Sequence, residues 1–205
     1  MRKLFITGIG TDTGKTIAAA VLAESLQADY WKPVQCGTTP ETDSQTVKRL
    51  ISNPVSRVHP EAYCLKEAAS PHAASEKEGV KIDLAQIGIP VCTNSTLIIE
   101  GAGGLLVPLN EKDLVADLIS FLGAEVILVA SFYLGSINHS LLTCAELKRR
   151  NIPVLGLLFT GASNPESERI ILKLSGLKKL GSIGHEALFN REAVLRYAPQ
   201  FRQIL

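Results

Sequence analysis

Cysteine is sparse in this 205-residue chain, and the four present are scattered at Cys36, Cys64, Cys92 and Cys144 with no C-x-x-C pair. Neither a zinc site nor a disulfide framework is therefore expected, and a reducing, cytoplasmic setting is the plain reading. Net charge is nearly absent: 21 Lys and Arg against 20 Asp and Glu leave +1. Nothing in that balance draws the chain to nucleic acid or to an anionic membrane. No apolar run approaches the length of a transmembrane helix. Arg2-Lys3 is followed by too few apolar residues for a signal peptide. Repeats and low-complexity segments are lacking as well. What remains is a chain with 46% hydrophobic residues, enough for a sizeable core and most simply read as one domain over residues 1–205.

The most informative stretch lies at the start. Leu4-Phe-Ile-Thr-Gly-Ile-Gly-Thr-Asp-Thr-Gly-Lys-Thr16 joins an apolar run to a loop with Gly8, Gly10 and Gly14, then to an alanine-rich helix opened by Lys15-Thr16. That order is a phosphate-binding loop. Its glycines let backbone N–H groups turn inward toward phosphate oxygens. The helix adds the positive end of its dipole. Lys15 supplies charge to the outer phosphates, and the Thr16 hydroxyl suits Mg²⁺. Five residues separate Gly8 from Gly14 rather than the usual four, with Ile9 in the standard glycine slot.

Apolar runs alternate with helical patterns along the chain. Strands are expected at Leu4–Thr7, Tyr30–Val34, Thr96–Glu100, Glu125–Ala130, Val154–Phe159 and, weakly, Lys179–Ile183. Helices fit Thr16–Leu26, Asp113–Phe121, Ile137–Arg150, Glu166–Leu174 and Arg191–Arg202, with two more near Asp43–Ile51 and Pro71–Glu78. The Ile, Leu and Val runs are continuous rather than alternating, which marks strands buried on both faces. The expected fold class is therefore α/β: a single-domain, P-loop NTPase-like chain with a mostly parallel central sheet and helices on both faces. Ligands in such sheets sit at the carboxyl ends of the strands. The proline-rich stretch from Cys36 to Thr96 is long enough to be a substrate-covering excursion.

Two further motifs fall at strand ends. Lys32-Pro33-Val34-Gln35-Cys36-Gly37 places a lysine where a strand gives way to a loop, with Pro33 holding it extended. Glu100-Gly101-Ala102-Gly103-Gly104 follows a buried apolar run. A carboxylate there is costly unless a cation meets it, and Mg²⁺ held by Thr16 would serve. Asp43 alone reads as a helix cap.

Taken together, these motifs resemble the dethiobiotin synthetase family. The resemblance runs nearly the whole chain: the Thr7–Thr16 loop with its extra residue, Lys32-Pro33-Val34 with Gly37, Asp43, Ser70-Pro71-His72, Glu100–Gly104, and Leu134-Gly-Ser-Ile-Asn-His139. It implies ATP- and Mg²⁺-dependent closure of a urea ring from 7,8-diaminopelargonate and CO₂ (or bicarbonate) through a carbamate and a carbamic–phosphoric anhydride. By that resemblance, Thr16, Asp43 and Glu100 are the Mg²⁺ ligands. ATP is held by Asp12, Thr13, Gly14, Lys15, Thr16 and Ile17, with Gly103 near the phosphates and Thr160-Gly161 near the base. Lys15, Lys32, Thr11 and Asp12 are the residues at the chemistry. Substrate is met by Cys36 and Gly103, and by Gly135, Ser136, Ile137 and Asn138 of the second subunit of a homodimer. His72 and His139 fit structural roles.

A partition-type or regulatory ATPase is the competing reading, but such loops usually carry an early second lysine, and Gly8–Thr13 has none. A sibling amidoligase acting on a corrin would need a glutaminase domain, for which this chain is short. Four places depart from the family, one of them the loop after the last strand, which reads Ile183-Gly184 in place of Ile-Pro. Cys36 stands where Ser or Thr is common, and a thiol is a weaker hydrogen-bond partner. Asp12 stands where Glu is common. Phe159-Thr160-Gly161 replaces the Asn-containing segment that reads adenine in many members. Base selectivity should therefore be relaxed: turnover with GTP and CTP is expected to approach that with ATP, and a strong preference for ATP would refute this.

Overall fold

The computed structural model describes residues 1–204. Its frame is a seven-stranded parallel sheet. In chain order the strands and helices are β1 (Arg2–Gly8), α1 (Lys15–Leu26), β2 (Asp29–Trp31), β3 (Val34–Cys36), α2 (Asp43–Leu50), β4 (Val58–His59), β5 (Tyr63–Leu65), α3 (Pro71–Lys77), β6 (Thr96–Gly104), α4 (Val115–Leu122), β7 (Glu125–Ser131), α5 (Ser136–Arg149), β8 (Val154–Thr160), α6 (Pro165–Ser175), β9 (Lys179–Ile183) and α7 (Arg191–Tyr197). The main sheet runs β4-β2-β6-β1-β7-β8-β9, and β3 pairs with β5 in a small second sheet.

Both faces of the central strands are buried, which explains their unbroken apolar runs. Successive residues point to opposite faces. Phe5, Ile99, Val126 and Leu128 join one core with residues of α4, α5 and α6. Leu4, Ile6, Ile98, Ile127 and Val129 join the other with residues of α1, α2 and α7. In α1 the run Ala18–Ala23 is fully buried, and its small side chains let the helix lie close to the sheet.

The expected helices and strands are present with ends shifted by at most three residues, except that β6 runs four residues further and α7 stops five residues sooner. Four differences bear on the site. The expected strand Tyr30–Val34 is broken: β2 ends at Trp31, and β3 starts in the small sheet at Val34. Proline lacks the N–H that a continuous ladder needs, so Lys32-Pro33 is a corner. The strand expected to end at Glu100 continues to Gly104, with Glu100 beside Ile6 of β1. Thr42, not Asp43, caps α2, in a capping box with Gln45, which leaves the Asp43 carboxylate free. The helix expected to reach Arg202 turns into a 3₁₀ segment at Ala198–Phe201, where a proline interrupts the pattern.

Gly101 lets β6 pass tightly under β1. A Cβ there would lie 2.7 Å from the Phe5 ring and 3.4 Å from the Ile6 carbonyl. Gly101→Ala should lower stability by about 1–3 kcal/mol through overpacking. Urea unfolding checks this, and an unchanged midpoint would mean the Phe5 ring yields freely.

Candidate active site

The site is assembled at the carboxyl ends of β1, β2 and β6, where a parallel sheet places its ligands. β1 runs out at Gly8 into the phosphate loop, and α1 begins behind it. Asp12 and Gly14 both take left-handed backbone, at φ 56° and 79°. At Gly14 this costs nothing, because glycine has no Cβ. Two contacts brace the loop from neighbouring strands. Ile9 N–H donates to the Val129 carbonyl at 3.1 Å, and the buried Thr160 hydroxyl donates to the Thr13 carbonyl at 2.8 Å. Thr160, singled out as a base contact, thus lies under the loop, and Gly161 follows it half-buried. The Lys15 ammonium donates to the Gly10 carbonyl at 2.9 Å. Burial pulls it below its ordinary pKa, with Glu100 acting in the opposite direction.

Beside the loop lies a cluster of buried charge. Thr16 Oγ1 stands 3.0 Å from Asp43 Oδ1 and 2.8 Å from Glu100 Oε1. Lys32 donates to Glu100 Oε1 at 3.2 Å and to Asp43 Oδ2. Lys32 and Glu100 are almost wholly buried. Burial opposes the charge on Lys32, but Glu100 and Asp43 outweigh it and hold the ammonium above its ordinary pKa. The Thr16 hydroxyl thus meets a carboxylate 84 positions along the chain. Three hard oxygen donors converging at this point, beside a phosphate loop, fit Mg²⁺.

Two residues absent from the sequence-derived set hold this cluster in place. Tyr30 donates its phenol to Glu100 Oε2 at 2.8 Å. Gln35 accepts from Asp43 N–H at 3.2 Å and donates to the Gly37 carbonyl at 2.8 Å. No motif marks Tyr30. The signal for Gln35 is its place inside the Lys32–Gly37 segment.

A cleft of about 550 Å³ opens in front, lined among others by Thr11, Asp12, Lys32, Cys36, Asp43 and Gly103. These residues, separated in sequence, are brought together as the motifs require. Burial pushes the Cys36 thiol up to about 11, so it faces the cleft protonated. Ser70-Pro71 closes one wall at the start of α3. Thr13, Gly14 and Ile17 belong to the loop and first helical turn rather than to this cleft. Gly135, Ser136, Ile137 and Asn138 do not line it either; they open α5, with Ser136 buried and Asn138 exposed, and His139 just after them borders a neighbouring pocket together with Thr11 and Val107. His72 and His139 make local contacts, with Ser70 at 3.1 Å and Tyr133 at 2.7 Å. No helix among the described residues is long and apolar enough to cross a membrane.

Tyr30→Phe removes one hydrogen bond from a buried carboxylate and keeps the ring. It should cost about 1–3 kcal/mol of stability, measured by denaturant unfolding. A loss near zero would show that Lys32 and Thr16 satisfy Glu100 without it.

Comparison with known proteins shows the fold and the family. Residues 2–193 match a family described as an AAA domain. Among solved structures, a plasmid partition protein from Borrelia burgdorferi bound to AMPPNP shares the fold at a TM-score of 0.61 and 15% identity, over 99% of this chain and 97% of that one. The cell division ATPase MinD of Pyrococcus furiosus shares it at 0.60 and 14% identity, over the whole of both chains. Sequence relatives are far nearer. The ATP-dependent dethiobiotin synthetase BioD of Cytophaga hutchinsonii is 58% identical over 97% of this chain and 96% of its own. That of Christiangramia forsetii is 48% identical over 100% and 98%. The chain therefore belongs to the ATP-dependent dethiobiotin synthetases, ATP-using ligases of biotin biosynthesis.

Proposed function

We propose that the cleft closes the ureido ring of dethiobiotin from 7,8-diaminopelargonate, CO₂ and ATP. One amine of the diamine adds to CO₂ and loses a proton, giving a carbamate. A carbamate oxygen attacks the γ-phosphorus, and ADP leaves. The second amine then attacks the carbonyl carbon of the resulting anhydride, and phosphate leaves with loss of the amine proton. Every step moves negative charge, so positioning and charge neutralisation do the catalysis.

The observation that carries this reading is the placement of Lys32. Its ammonium is buried at the cleft wall, and it remains charged between Glu100 and Asp43. There it would meet both the carbamate and the transferring phosphoryl group. Lys15, on the phosphate loop, would neutralise the β- and γ-phosphates once it leaves the Gly10 carbonyl. Mg²⁺, held by Thr16, Asp43 and Glu100, would supply further neutralisation of the phosphates. Thr11 and Asp12, exposed at the loop tip, would line the meeting point of amine and phosphate, and Gly103 N–H would hold carbamate oxygen. Cys36 is a thiol at neutral pH, so its part is packing against substrate rather than charge. With Thr160 committed to the Thr13 carbonyl, base contacts there would fall to the Gly161 backbone.

Gly135–Asn138 open a fourteen-residue helix, where free N–H groups suit a carboxylate. Because they do not line their own chain's cleft, the substrate carboxylate would reach them on a second subunit. The homodimer is thus part of the proposal.

Incubating the protein with diaminopelargonate, bicarbonate, Mg²⁺ and ATP should yield dethiobiotin, detected by mass. ATP hydrolysis indifferent to the diamine would favour a nucleotide-driven switch instead. Lys32→Ala should fold and bind nucleotide yet lose ring closure by about a hundredfold or more. Near-normal turnover would remove Lys32 from the mechanism.

A further inference from the structure

At the sheet edge, a second cluster joins three chemically distinct side chains. Asp29 opens β2, His59 ends β4, and Cys92 lies in the segment leading to β6. Asp29 Oδ2 is 3.0 Å from His59 Nε2, and Cys92 Sγ is 3.6 Å from the same nitrogen. All three donor atoms lie within 4.8 Å of one another. Asp29 is fully buried and the other two are half-buried.

The arrangement is wrong for a nucleophilic relay. There the thiol and the carboxylate address opposite ring nitrogens, whereas here both address Nε2. It is right for a metal. Bonds of about 2.0–2.3 Å in a tetrahedral zinc site put neighbouring donor atoms roughly 3.3–3.8 Å apart, near the 3.0 and 3.6 Å seen at His59 Nε2. An oxygen, a nitrogen and a sulfur donor form a borderline set that suits zinc over Mg²⁺.

The outer contacts point the same way. Asp29 Oδ1 accepts from Arg57 N–H at 2.9 Å and from Asn94 Nδ2 at 2.6 Å. Those donors sit two residues before His59 and two residues after Cys92. The segments that deliver the other two ligands therefore also orient the carboxylate and turn Oδ2 toward them, as outer-shell partners of metal ligands do.

We propose that Asp29, His59 and Cys92 form a site for a zinc-class divalent metal, with a fourth position left to solvent. It would clamp the two-residue edge strand β4, and the segment before β6, onto β2. On binding, the Cys92 thiol gives its proton to solvent and ligates as thiolate, and His59 ligates through Nε2 with its proton on Nδ1. Cysteine spacing cannot reveal such a site. Only one ligand is a cysteine, and His59 is 30 residues from Asp29 and 33 from Cys92.

Cobalt(II) tests this in the full chain after chelator treatment. One equivalent should give visible d–d bands and a thiolate-to-cobalt charge-transfer band in the near ultraviolet, both displaced by Zn²⁺. The oxygen ligands of the phosphate site cannot produce the charge-transfer band. Cys92→Ser and His59→Gln should lose it, and Cys36→Ser should keep it. Asn94→Ala leaves all three ligands and should weaken binding about 10–100-fold. Zn²⁺ should raise the Tm of wild type and of Cys36→Ser but not of Cys92→Ser. Absence of the band in wild type, its survival in Cys92→Ser, or equal Tm shifts in all three proteins would overturn the proposal.

Discussion

A lysine ammonium buried between two carboxylates sets the terms for the rest of this structure. Glu100 and Asp43 hold Lys32 charged in the interior, and Tyr30 and Thr16 hydrogen-bond the same Glu100 carboxylate. Isolated, each charge would cost several kcal/mol. Together they tie β2, β6, the start of α2 and the start of α1 into one network. That network fixes where the phosphate loop stands relative to the cleft, and the proposed phosphoryl transfer would depend on that geometry.

The scaffold around it is built to keep those four elements in register. β1 and β6 share the longest parallel contact at the centre of the sheet, and Gly101 allows their close approach. The phosphate loop rests on Val129 and Thr160 from the two strands on its other side. Thr160 departs from the family's base-reading pattern, and its hydroxyl serves the loop instead. The same strand end thus braces the phosphate loop through its side chain.

Much of this was readable beforehand, and for identifiable reasons. The phosphate loop is local: its glycines, Lys15 and Thr16 are contiguous, so one segment carries the whole phosphate-binding pattern. The buried strands announce themselves by unbroken Ile, Leu and Val. Less legible was anything that depended on a partner far along the chain. Asp43 alone reads as a cap because a capping aspartate and one that pairs with a distant lysine have the same neighbours; Thr42 and Gln45 take the capping role only once α2 is formed. Tyr30 resembled any buried strand aromatic. The break at Lys32-Pro33 was masked because apolar residues continue on both sides of it.

Sequence alone determined the parallel α/β class, the loop that holds a triphosphate, and the motifs at Lys32 and Glu100, since each rests on local periodicity or on contiguous residues. Tertiary structure decided which cation meets which carboxylate. It assigned Thr160 to the loop, separated Gly135–Asn138 from their own chain's cleft, and gathered Asp29, His59 and Cys92 at the sheet edge. These are long-range juxtapositions, set by how strands are ordered in the sheet, and strand order is not written in any one segment.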